Sequence, residues 1–178
     1  MSESRRPLRA LQAVPAPVRW LAPPVVLLGC VAAVMMTGPY QPPTTAPQLP
    51  ADAVGPCQAL MKQLPATFEG HPRTDPSPYV AVWATSPRTV LRCGVPRPAS
   101  LEGANRYKTG PGVDGVPWYQ EGDGHGGYKF TITLHQLYVE VAVPQGATRY
   151  PADPLAPVSP VVLATIPDQN GNLNDPID

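Results

Sequence analysis

Proline occurs 27 times among the 178 residues of this chain. Inside a helix each proline removes a backbone donor and clashes with the preceding turn, which argues against an all-helical bundle. Regular structure has to fit between the prolines, and the length suits one ordinary domain with appendages.

Extended patterns fit those gaps best. Tyr128, Phe130, Ile132 and Leu134 alternate with Lys129, Thr131, Thr133 and His135, the period of a half-buried strand. "LYVEVAV" repeats the pattern, with Leu137, Val139, Val141 and Val143 inward and Tyr138 and Glu140 outward. "YVAVW" and "TVLRCGV", separated by a Ser-Pro turn, read as a hairpin in which Leu91, Cys93 and Val95 share one face and Val90 and Arg92 the other. "VPWYQE" reads as a short edge strand, because Pro117 cannot donate to a ladder. Cys57, Leu60, Met61 and Leu64 fall on one face of a helix of two turns that Pro65 ends. Near the C-terminus "SPVVLATIP" suits a short helix with Ser159 as cap and Pro160 at the first helical position, although its β-branched residues leave a strand open. The expected fold is therefore α+β: a small, mostly antiparallel sheet of four or five strands with one packed helix, at residues 54–167 and preceded by an N-terminal transmembrane helix.

The transmembrane expectation rests on "WLAPPVVLLGCVAAVMM", residues 20–36, which carry no charge. As a helix they would extend about 26 Å, at the short end of what crosses a bilayer. Arg5, Arg6, Arg9 and Arg19 precede the segment against Glu3 alone, so residues 1–19 read as a cytoplasmic basic arm and everything after Thr37 as extracytoplasmic. Two other readings stay open: a lipoprotein acylated at Cys30 of "LLGC", and cleavage with secretion. Residues 37–53 read as a proline-rich linker holding the domain off the membrane, and residues 168–178 as a disordered tail.

The chain has three cysteines. Cys57 points to the core from the helix and Cys93 from the sheet, whereas Cys30 sits in or beside the membrane. In an oxidising compartment the pair is Cys57 with Cys93. Such a bridge staples helix to sheet and is structural; a redox centre would want an exposed thiolate or a Cys-x-x-Cys arrangement.

The run "PYVAVWATSPRTVLRCGVPRP", with "CQALMKQLP" before it and "GVPWYQE" and "LYVEVAVP" after it, resembles a family of actinobacterial membrane-anchored or lipoprotein-like proteins catalogued as a domain of unknown function. The resemblance covers Cys57 to Pro144, and its most specific part is the Leu-Arg-Cys-Gly-Val-Pro-Arg-Pro run. It implies an N-terminal anchor, two cysteines suited to a disulfide, an exported domain with a cell-envelope role, and no assigned activity.

Chemistry is sparse along the chain. "EGDGHGG" gathers Glu121, Asp123 and His125, but its spacing matches neither a calcium loop nor a zinc motif, and a flexible hairpin loop explains it. There is no Gly-x-Ser-x-Gly, no Ser-x-x-Lys and no phosphate-cradling loop. No metal site and no cofactor are expected, and no basic surface for nucleic acid. The outward sheet face offers candidate binding residues: Arg92 or Arg97 for an anionic group, and Trp83, Trp118 or Tyr138 for stacking area. An Arg92–Glu140 ion pair and aromatic residues committed to the core are the structural alternatives. The functional expectation is a non-enzymatic envelope module that binds a protein or a cell-wall component; the alternative is an envelope hydrolase or transferase with a noncanonical site built on His71, His125 or His135.

Overall fold

The computed structural model describes residues 38–103, 108, 110 and 112–174. Helix α1 (Ala51–Gln63) is followed by β1 (Thr67–Phe68), β2 (His71–Ser77), β3 (Val80–Trp83) and β4 (Thr89–Val95). After a 3-10 turn at Ala99–Leu101 come β5 (Gly112–Val113), β6 (Val116–Gly122), β7 (Tyr128–Ile132), β8 (Tyr138–Val143) and helix α2 (Leu155–Thr165). The strands form one eight-stranded sheet in the order β1-β2-β3-β4-β8-β7-β6-β5, antiparallel throughout. Each half is a meander of four consecutive strands. The halves meet where β4 pairs with β8, so the two strands with the cleanest apolar alternation lie at the centre.

Both helices pack on one face of this sheet. Ala81, Trp83, Leu91, Cys93, Val139 and Val141 point to that face and bury against Cys57, Leu60 and Leu64 of α1. Phe130, Ile132 and Trp118 continue the layer to Leu155, Val158 and Val162 of α2. The alternation that places them follows from the register: Ala81 opposite Leu91, Leu91 opposite Val141 and Val141 opposite Phe130 stack side by side. Cys57 and Cys93, both fully buried, are joined by a disulfide with Cα atoms 5.7 Å apart. The bridge closes 36 residues and fastens α1 to the centre of the sheet.

The opposite face carries Val80, Val82 and Val90, and these too are buried. Their cover is the proline-rich segment, which reads from sequence as a spacer. Tyr40 stacks on His125 with ring centroids 4.0 Å apart, Arg88 donates Nη2–H to the Pro42 carbonyl at 2.8 Å, and Ala46 packs on the valines. Leu49 ends the run above Gly94, where β4 bulges. Gly94 has φ +81°, and a Cβ there would come within 2.7 Å of Leu49 Cγ. Only glycine accommodates both the left-handed backbone and the close approach.

Three parts of the expected architecture are corrected. The sheet has eight strands rather than four or five, because β1 and β5 are two-residue strands and β2, "HPRTDPS", is a proline-bearing edge segment without apolar alternation. There are two packed helices rather than one, and α2 starts at Leu155, so Ser159 and Pro160 lie inside it. No transmembrane helix is found: among the described residues no helix is long and apolar enough to cross a membrane, and segment 20–36 lies outside the described residues, as do Cys30 and the arm 1–19. The start of the expected disordered tail is folded back on the domain. Asp168 bridges His135, and Asn174 donates its backbone N–H to the Leu163 carbonyl.

Candidate functional site

Beyond β4 the chain turns across the end of the sheet where β7 passes to β8, and a cleft of about 220 Å³ opens there. Arg97 and Leu101 form one wall, with Lys108 at the rim; Thr133, Leu134 and Tyr138 form the other. Gln169 closes the side next to the C-terminal turn.

Arg97 is the organising residue. Its Nη1–H donates to the Tyr138 hydroxyl at 2.9 Å, its Nη2–H donates to the Leu101 carbonyl at 3.2 Å, and its guanidinium carbon lies 6.0 Å from the centroid of the Tyr138 ring. A phenol that accepts from a guanidinium keeps its own O–H to give, and is a better donor for it.

The floor is held rigidly. Leu134 has φ +62°, a conformation that costs energy in a residue with a Cβ and persists only where surrounding bonds impose it. Three such bonds are present. The Gln169 N–H donates to the Leu134 carbonyl at 3.0 Å, the Gln136 N–H to the Pro167 carbonyl at 3.0 Å, and His135 Nδ1 bonds the Thr133 carbonyl at 2.8 Å. Burial lowers the pKa of His135 from its usual 6.5, against the opposing pull of the Thr133 hydrogen bond and the Asp168 charge. Asp168 itself accepts at Oδ1 from the backbone N–H groups of Asn172 and Asn170, at 2.7 and 2.9 Å, and at Oδ2 from their side-chain amides. The Asn172 backbone bond leads the set that holds its carboxyl below the ordinary range.

The binding residues expected from sequence separate in space. Arg97 and Tyr138 meet at the cleft. Arg92 lies directly across from Glu140 in the ladder and donates from Nη2 at 2.7 Å and from Nε at 3.2 Å to the same carboxylate oxygen, so the ion-pair alternative describes it. Trp83 and Trp118 are 1% and 0% exposed and belong to the core, where their indoles donate to the Pro65 carbonyl and the Ser159 hydroxyl. Sequence reasoning missed Lys108, Thr133, Leu134 and Gln169, which come together only through the chain's return at the sheet end.

The remaining polar groups form no second convergent site. The three histidines stand apart, His71 on β2, His125 in the β6–β7 loop and His135 in the β7–β8 loop. In "EGDGHGG", Asp123 accepts from the backbone N–H groups of His125 and Gly127, the bonding of a closed turn. Glu121 is taken by Lys129 and by Ser100, whose hydroxyl donates at 2.6 Å. Among the described residues no group of three or more His, Cys, Asp or Glu side chains gathers as a metal site would require. A second, open groove of about 630 Å³ runs between α1 and the β2–β3 turn, past Met61, Lys62 and Tyr79.

No curated protein and no solved structure matches the chain. A family does: residues 21–171 match the one described as "Protein of unknown function (DUF3515)", and the chain belongs to that family.

Proposed function

We propose that this protein is a non-enzymatic binding or accessory module of the cell envelope, working outside the cytoplasm and attached to the membrane through its N-terminal apolar segment. The Cys57–Cys93 disulfide carries this reading. It is fully buried at the junction of helix and sheet, where two free thiols would be only a weak staple, and such bridges form and persist in oxidising compartments. The preformed cleft around Arg97 and Tyr138 gives the module a place to bind.

The test is topological. Tyr150 is 59% exposed, so a Tyr150→Cys chain presents a thiol without disturbing the core. A membrane-impermeant maleimide should label that thiol in intact cells as completely as in lysed ones. Labelling only after lysis would place the domain in the cytoplasm and end the proposal.

A further inference from the structure

We infer that the Arg97 cleft is a receptor for an oxyanion end group, a carboxylate or a phosphate carried on a short aliphatic stem. The inference rests on the reading of the domain as a binding module and names the chemistry that its cleft selects.

Charge comes first. Among the described residues the lining holds two cations, Arg97 and Lys108, and no carboxylate. The acids nearest in sequence are committed elsewhere: Asp168 receives its four hydrogen bonds from Asn170 and Asn172, and Glu121 is held by Lys129 and Ser100. The positive potential is therefore not cancelled locally, and an anion entering the cleft meets it directly.

Donor geometry adds direction. The Tyr138 hydroxyl accepts from Arg97 and retains its proton, which supplies an oriented O–H beside a guanidinium. The Gln169 side chain adds an amide at the edge. Charged acceptors form the strongest hydrogen bonds with such a set.

Size and apolar surface set the remainder. A volume of about 220 Å³ lies below the roughly 300–1,000 Å³ that encloses a drug-sized ligand. It admits the end of a molecule rather than its length. Leu101 and Leu134 face that space, so the atoms behind the anion are aliphatic. The left-handed conformation of Leu134, clamped through Gln169 to the C-terminal turn, places its side chain in the wall before any ligand arrives.

Calorimetric titration of the purified full-length chain tests the inference with four probes: N-acetyl-alanyl-alanine, its C-terminal amide, inorganic phosphate and glycerol phosphate. The acid or a phosphate probe should bind saturably, the amide at least tenfold more weakly than the acid, and Tyr138→Phe should weaken the bound oxyanion about tenfold with an unchanged melting temperature. Arg97→Gln should abolish binding; because Arg97 also holds the Leu101 carbonyl, Lys108→Ala serves as a second variant, with a loss of about threefold. Tighter binding by the dipeptide acid identifies a peptide terminus as the source, and tighter binding by a phosphate identifies a phosphorylated one. Equal affinity for acid and amide, or no saturable binding of any oxyanion probe at millimolar concentration, overturns the inference while leaving the maleimide result, and hence the envelope assignment, standing.

Discussion

The indole N–H of Trp118 donates to the hydroxyl of Ser159 at 2.9 Å in the closed core, and the same hydroxyl donates to the Leu155 carbonyl one turn back at 2.8 Å. One side chain thereby satisfies a strand aromatic and fixes α2 against β6. Ser159→Ala strands the indole N–H where water does not reach, so a loss of roughly 1–3 kcal/mol is expected. Urea unfolding followed by tryptophan fluorescence measures it, and a change under 0.5 kcal/mol would show that the bond is dispensable.

Arg92 and Glu140 make the corresponding polar tie on the other face. Their side chains are 23% and 10% exposed, so the pair is partly desolvated. Arg92→Met alone should cost roughly 2–3 kcal/mol, since it leaves the Glu140 carboxylate without its counter-ion. Combining it with Glu140→Leu should recover most of that loss. A double variant as unstable as the single one would mean that the ion pair itself, rather than the orphaned charge, stabilises the sheet.

The disulfide is expected to dominate the stability of the domain. Closing 36 residues corresponds to about 4 kcal/mol on the chain-entropy model, a large share of what a domain of this size commands. Cys57→Ala combined with Cys93→Ala should lower the midpoint of chemical unfolding accordingly. Dithiothreitol should shift the natural chain to the same midpoint and leave the double variant unmoved.

Acidification separates two windows. Burial holds the imidazole of His135 below 6.5 in the folded chain, so the unfolded chain binds the extra proton first. Stability from this group is complete above the unfolded value and falls as pH drops from 6.5 toward the lower folded value. The carboxylates act later. Burial alone would raise Glu121, but the hydrogen bonds from Lys129 and Ser100 outweigh it, and Asp168 is lowered by Asn172 and Asn170; their contributions are present above 4.5 and 3.8 and are lost as pH falls through the folded values. Thermal unfolding of His135→Gln should show a flatter dependence between pH 7 and 5 and an unchanged decline below pH 4. An identical slope in the first window would assign that titration to another group.

Much of the centre of the molecule was legible because local pattern and tertiary environment agree there. Alternation in "TVLRCGV", "YKFTI" and "YVEVAV" marks the strands that are now β4, β7 and β8, and the helical spacing of Cys57, Leu60 and Leu64 marks the buried side of α1. The edges were not legible. β2 exposes most of its side chains and carries two prolines, so its pairing with β3 leaves no trace in hydropathy. Ser159 looked like a helix cap because its identity fits one, whereas its hydroxyl is spent on Trp118. Tyr40 to Leu49 carries no periodicity, and nothing in its composition announces that Val80, Val82 and Val90 need it as cover.

The cleft divides in the same way. Arg97 and Tyr138 were candidates from residue type alone, yet 41 residues separate them, and the other lining residues come from the β7–β8 turn, the loop after the 3-10 turn and the segment beyond α2. The sequence by itself determined which cysteines pair, which residues alternate into the core and which segment is too apolar and uncharged to belong to the domain, because each follows from burial or reach encoded in neighbouring residues. Only the tertiary structure decided the strand order, the folding of the proline-rich segment onto the sheet and the convergence of Arg97, Tyr138 and Leu134. Those depend on contacts between residues far apart in the chain, where the free energy of packing, not local preference, selects the partner.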